Sequence, residues 1–158
     1  AKVDPPKDVN LYQASRAATY IGLSATPPIR PGGTIIVEAR CLERTGQGVG
    51  EIRFFEALAG AGSLDQMLSR FRLKGCRAGE QRAFMLAQVL LKYKVIIAGS
   101  DCPDAVEACQ MTAVNSIDAA LERIQHRIGQ QASVLYLPHA LITLPIVTSI
   151  EPRVKRGA

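Results

Sequence analysis

The stretch AGEQRAFMLAQVLLKYKVIIAGS (residues 78–100) joins two buried elements without a break. From Ala83 to Leu91 only Gln88 interrupts the apolar residues. A helix over 79–93 is therefore apolar on nearly every side and belongs inside the protein. After Lys92-Tyr93-Lys94, the run VIIA is apolar at successive positions, so both faces of that strand need cover, as in a parallel sheet. Polar residues gather only at the helix entrance, as Glu80, Gln81 and Arg82. A cation in the first turn opposes the helix dipole at a cost of a few tenths of a kcal/mol. Either Arg82 snorkels outward with Glu80 or another surface carboxylate as its partner, or it joins the free backbone N–H groups in holding a carboxylate or phosphate.

Upstream, DPPKD is a turn, and Asp8 is the expected N-cap of a helix. In that helix Leu11, Ala14, Ala17, Ala18 and Ile21 recur at helical spacing. SATPPIRPGG is a loop and TIIVEA (34–39) a buried strand of the parallel type. The loop RCLERTGQGVG (40–50) leads into the helical pattern EIRFFEALAG. Ser63 then caps a further helix, with Gln66 at the third position of a capping box.

Downstream, SDCPDAVEACQM holds a turn and a short helix. NSIDAALERIQHRIG is a helix capped by Asn115 or Ser116 and ended by Gly129. ASVLYLP (132–138) is the expected third strand, and HALITLPIVTSI a loop or short helix packing back on the core. Strands alternating with helices predict an α/β fold: a small parallel sheet with helices on both faces, a Rossmann-like three-layer arrangement. The first helix has no strand before it, so a first strand is expected to be missing or to come from elsewhere. Residues 1–150 read as one domain and 151–158 as a basic tail.

Composition narrows the function classes. The chain has 158 residues, 47% hydrophobic and 21% charged, which is globular rather than disordered. No apolar run could span a bilayer, and AKVDPPKDVN has no secretory h-region. The first residue is Ala rather than Met, so a processed or excised portion of a longer product is expected. Four cysteines without a C-x-x-C pair suit free thiols in a reducing cytoplasm. The net charge of +5 is scattered outside the tail, and aromatic residues are few, so neither nucleic acid nor membrane is expected as a partner.

Few motifs carry chemistry. GQGVGE (46–51) sits between a strand and a helix, but its third glycine falls one place early for the dinucleotide fingerprint, which excludes NAD. Gly48 and Gly50 then belong either to a ligand loop or to a plain connector. His139 follows the expected last strand and His126 lies mid-helix, and both read as structural. Asp101 and Asp104 follow a strand directly, where helix capping is the simpler role. No nucleophile–base pair can be assembled.

DPPKDVNLYQASRAA, RPGGTIIVEARC, GEQRAFMLAQVLLKYKVIIAGS and VLYLPHALITLPIV occur in the order found in the C-terminal half of the nickel-dependent lactate racemase family, which residues 4–147 resemble. NLYQASRA and GGTIIV are the distinctive pieces. The resemblance implies a two-domain racemase of lactate or a related 2-hydroxy acid. There a nickel pincer nucleotide takes a hydride from the substrate C2 and returns it to either face. The tethering lysine, the catalytic histidines and the nickel ligand would lie in an N-terminal catalytic domain with no counterpart here. This chain alone is expected to bind no cofactor and to be inactive. Arg82, and with it Gln81, matches the place where the family puts a basic substrate-binding residue, so the hydroxy-acid carboxylate is the implied ligand. The loop CLERTGQGVGE is longer than the family's short glycine loop. The competing expectation is a stand-alone, non-catalytic α/β module binding a small anion or a partner protein. An exposed sheet edge or apolar face would favour a homodimer.

Overall fold

A computed structural model describes residues 1–128 and 133–147. Helix α1 (Leu11–Gly22) precedes strand β1 (Thr34–Glu38), and three helices follow: α2 (Val49–Ala59), α3 (Leu64–Lys74) and α4 (Glu80–Leu90). Then come β2 (Lys94–Ala98), α5 (Pro103–Ala108), β3 (Thr112–Val114) and α6 (Ile117–Ile128). The strands pair in parallel in the order β1-β2-β3.

Register explains the layers. Ile35 stands beside Val95 and Val37 beside Ile97, so these four share one face, with Ala113 continuing it on β3. That face joins the main core with Leu11, Phe54, Leu58 and Leu86. The alternate residues Ile96 and Ala98 are also buried but lie outside that cluster. α6 contacts all three strands and buries Ala120, so it covers the second face. β2 is therefore covered on both sides, as its unbroken apolar run predicts. α4 is the central helix, packed on α1, α2, α3 and β2. The expected α/β three-layer fold is what the chain adopts.

Three expectations change. The N-cap of α1 is Asn10 rather than Asp8; its side chain accepts from the Gln13 N–H at 3.0 Å. The third strand is Thr112–Val114 rather than 132–138, and residues 133–138 form no strand. Val134, Leu135 and Tyr136 are exposed there, so β propensity without a neighbouring edge did not make a strand. The outer edge of β1 is occupied by residues 1–3: the Ala1 amine donates to the Ile36 carbonyl at 2.8 Å, and the Val3 N–H donates to the Glu38 carbonyl at 3.1 Å. On its other side, Lys2 exchanges backbone bonds with Leu137 and Ala140. Of the segment expected to pack back on the core, Ala140 does so, beside Leu137, whereas Ile142, Leu144 and Ile146 are 86%, 72% and 72% exposed. Gly129 and the basic tail lie outside the described residues.

Candidate functional site

The first turns of α1, α2 and α4 meet at the carboxyl end of β1, the end where open α/β sheets take ligands. Asn10, beyond capping α1, donates through Nδ2 to Glu51 Oε1 at 3.0 Å. Glu51 Oε2 accepts from the Gly48 N–H at 2.8 Å, closing the start of α2. Gly50 lies directly against Gly79, the N-cap of α4. A Cβ on Gly79 would stand 2.0 Å from the Gly50 carbonyl oxygen, and Gly79 has φ +97. Gly48 and Gly50 thus hold helix ends together.

Glu80 does not serve Arg82. Its carboxylate accepts from the Arg77 backbone N–H at 2.7 Å, Nε at 3.0 Å and Nη2 at 2.6 Å. The two residues of that pair are three apart and share a side of the turn, whereas residues two apart on a helix do not face one another. Arg77 therefore holds the Glu80 carboxyl below its ordinary value of 4.5, against the opposing effect of burial. Glu80 is only 7% exposed, so its bonds are sheltered. A folded-state pKa below the unfolded one contributes stability above the unfolded value, which is lost as pH falls through the folded value. Glu80→Gln is expected to cost about 1–2 kcal/mol at neutral pH. In thermal melts from pH 6 downward the gap to wild type should close below pH 4.5. A gap unchanged by acid would exclude this role for the carboxylate.

Arg82 turns instead toward α1. Its guanidinium lies 5.7 Å from the Tyr12 ring centroid. The buried Phe54 meets the same ring edge-on, with centroids 5.4 Å apart. One turn along α1, Arg16 donates to the Tyr20 hydroxyl through Nε at 3.1 Å and Nη2 at 2.5 Å, and to Gln13 Oε1 through Nη1 at 3.1 Å. The Arg82 charge is also felt at that hydroxyl, though its side chain lies against Tyr12. The Arg16 hydrogen bond is the main cause of the lowered Tyr20 pKa; burial opposes it, and the charges of Arg16 and Arg82 add to it.

Like Arg30, Arg53, Arg70 and Arg72, these arginines have no ion pair among the described residues, and what sets them apart is the aromatic stripe they share. Arg40 pairs with Asp101 at 3.2 Å, Arg44 with Asp104, and Arg77 with Glu80. Among the described residues, Arg16 and Arg82 are in no ion pair. Two half-exposed arginines on one aromatic stripe, Arg16 bonded to Tyr20 and Arg82 against Tyr12, form without a carboxylate a site suited to an anion.

The remaining candidates sit elsewhere. Gln81 is exposed and its Oε1 accepts from the Gly79 N–H at 2.6 Å. Asp101 and Asp104 tie the loop after β2 to the loop after β1 through Arg40 and Arg44. His139 Nδ1 lies 2.8 Å from Asp4 Oδ2, joining residue 139 to the start of the chain. The His126 side chain lies outside the described residues. Cys41, Cys102 and Cys109 are buried and Cys76 is exposed; all four are free. Burial pushes the Cys41 and Cys109 thiols up to about 12, which leaves no thiolate at neutral pH. A cleft of about 390 Å³ opens on the far side of Glu80, lined by Glu56, Arg70, Lys74 and Arg77, and does not reach Arg16 or Arg82. Tyr12, Gln13, Arg16 and Tyr20 were absent from the candidates read in the sequence. Their signal was present: residues 12, 16 and 20 form a polar and aromatic stripe at four-residue spacing on a helix otherwise buried.

Comparison with known proteins adds the context. Residues 4–144 match the family model described as the lactate racemase C-terminal domain. The lactate racemase of Lactiplantibacillus plantarum (strain ATCC BAA-793 / NCIMB 8826 / WCFS1) is 34% identical over 142 residues, covering 86% of this chain and 31% of that protein. The lactate racemase apoprotein structure from Thermoanaerobacterium thermosaccharolyticum matches with a TM-score of 0.71 at 20% identity, over 88% of this chain and 35% of that one. The chain therefore spans about a third of the length of the relatives it matches.

Proposed function

The chain belongs to the lactate racemase C-terminal domain family, and from that membership we propose that it is the substrate-orienting part of a 2-hydroxy-acid racemase or epimerase. Arg82 and Arg16 hold the carboxylate of the hydroxy acid. The observation that carries this reading is the pair of guanidinium groups on the α1 stripe, Arg16 bonded to Tyr20 and Arg82 against Tyr12, with no carboxylate partner among the described residues. A carboxylate placed there gains charge-assisted hydrogen bonds and removes the repulsion between the arginines. Phe54 fixes the Tyr12 ring, and Tyr12 fixes Arg82, so the site rests on the buried core. Gln81 adds a neutral amide at the rim. Gly48 and Gly50 contribute by holding α2 against α4.

Among the described residues no group of three or more His, Cys, Asp or Glu is placed to hold a metal. The nickel cofactor of such an enzyme would supply the hydride chemistry. Its ligands, and the acid–base histidines, would come from an N-terminal catalytic domain. The apolar strip from Val134 to Val147 supports a covering partner: it runs beside residues 1–3, so a domain preceding Ala1 would emerge next to it. That strip favours the racemase part over a stand-alone binding module. Free thiols suit a cytoplasmic setting. No helix among the described residues is long and apolar enough to cross a membrane.

The test is lactate racemisation by the complete two-domain protein carrying Arg82→Ala. A loss of at least about tenfold in kcat/KM, roughly 1.4 kcal/mol, is expected. A smaller loss removes Arg82 from the site.

A further inference from the structure

Tyr20 is hydrogen-bonded by Arg16, and Arg82 lies against Tyr12 two turns earlier on the same face of α1, with its charge felt at the Tyr20 hydroxyl. A phenol carries one proton and accepts through its oxygen lone pairs. Arg16 fills the acceptor side with two hydrogen bonds, at 3.1 Å from Nε and 2.5 Å from Nη2. The O–H proton then points away from Arg16. Tyr20 is half-buried, so that proton can still reach a ligand from solvent.

We propose that Tyr20 is the proton-controlled arm of this anion site. As a phenol it donates its O–H to the carboxylate held by Arg16 and Arg82. As a phenolate it becomes the anion between them and excludes the ligand. The switching step is a simple acid–base exchange: the O–H bond breaks, the proton leaves to water, and the electron pair stays on the phenolate oxygen. This inference rests on the reading of Arg16 and Arg82 as carboxylate ligands.

The electrostatics agree with that geometry. The charged groups acting on Tyr20 are Arg16 on its own helix and Arg82 on α4. Among the described residues, no charged group of α2 or β1, the other elements packed on α1, acts on it. The Arg16 hydrogen bond first, and the charges of Arg16 and Arg82 with it, hold the phenol below its ordinary 10.0. The competent form is the protonated one, so anion binding is present below the Tyr20 pKa and lost as pH rises through it. By linkage, a bound carboxylate must raise that pKa in return.

The experiment titrates the 158-residue chain with sodium L-lactate across neutral to alkaline pH. Binding is read by NMR shifts of the arginine side chains. Tyrosinate absorbance is followed in parallel, and Tyr20→Phe supplies the difference spectrum. Wild-type affinity should fall by about tenfold for each pH unit above the Tyr20 midpoint, and saturating lactate should move that midpoint upward. Tyr20→Phe should bind a few-fold more weakly at neutral pH and keep that affinity into the alkaline range. Lactate binding with the same pH profile in both proteins overturns the role of Tyr20 and leaves the arginine site standing. Absence of lactate binding at every pH overturns the arginine site and this inference together.

Discussion

Replacing Gly79 with alanine should destabilise the fold by about 2–6 kcal/mol. Two independent penalties combine. With φ +97, Gly79 occupies a conformation that a residue with a side chain adopts only at a cost of order 1–3 kcal/mol. The new Cβ would also stand 2.0 Å from the Gly50 carbonyl oxygen and 2.4 Å from its Cα. Those neighbours are backbone, so relief requires parting the starts of α2 and α4, and overpacking of that kind costs roughly 1–3 kcal/mol. Two milder substitutions calibrate the effect. Gly50→Ala meets nothing closer than 3.4 Å, and a Cβ on Gly62 meets nothing within 4 Å. Gly62→Ala should stay within about 0.5 kcal/mol of wild type. Urea denaturation of the three variants orders them, and a Gly79→Ala protein as stable as Gly62→Ala would mean that the two helix ends do not touch. Arg82 lies three residues beyond Gly79, so parting the helices should also weaken lactate binding at temperatures where the variant remains folded.

The elements that could be read from the sequence are those whose apolar pattern has a single solution. The run from Ala83 to Ala98 allows only a buried helix and a strand covered on both faces, and α4 and β2 are those elements. β3 was hidden because three residues, each only half-buried, leave almost no periodic signal. Residues 132–138 misled because β-branched and aromatic residues mark a strand only when an edge is available to pair with. At the site, Arg82 was visible and its partners were not. The four-residue spacing of Tyr12, Arg16 and Tyr20 lies in the sequence, but the packing of α4 against that stripe is a tertiary fact. Of the partners open to Arg82, Glu80 is ruled out by helix geometry, since residues two apart point to different sides, and it pairs with Arg77 instead. What Gly50 does, allowing the backbone of α4 to approach, became apparent only once Gly79 stood opposite.

Removing both arginines, as Arg16→Ala with Arg82→Ala, should lower lactate affinity by about 10²- to 10³-fold. A hydrogen bond to a charged group contributes roughly 1.5–3 kcal/mol, and each guanidinium supplies at least one to the carboxylate. The two losses should not add. Arg16 on Tyr20 and Arg82 on Tyr12 flank one stripe of α1, and neighbouring groups of this kind show coupling of about 0.5–3 kcal/mol in a double-mutant cycle. With Arg16 gone, Tyr20 loses its main hydrogen-bond donor, and Arg82 is left to orient the ligand alone. Stability separates this from a folding effect. The arginines stack on Tyr20 and Tyr12 at 5.4 and 5.7 Å, which is worth about 0.5–1 kcal/mol at exposed sites. Their mutual repulsion works in the other direction. The double variant should therefore unfold within about 1 kcal/mol of wild type while losing nearly all lactate binding. If stability and affinity fall together, the stripe on α1 is part of the packing and the anion site is elsewhere. If affinity falls by less than tenfold with stability intact, the guanidinium groups face a carboxylate they do not hold. Only the divergence of the two measurements assigns the pair to ligand recognition, because a purely structural pair of cations would be expected to move both or neither.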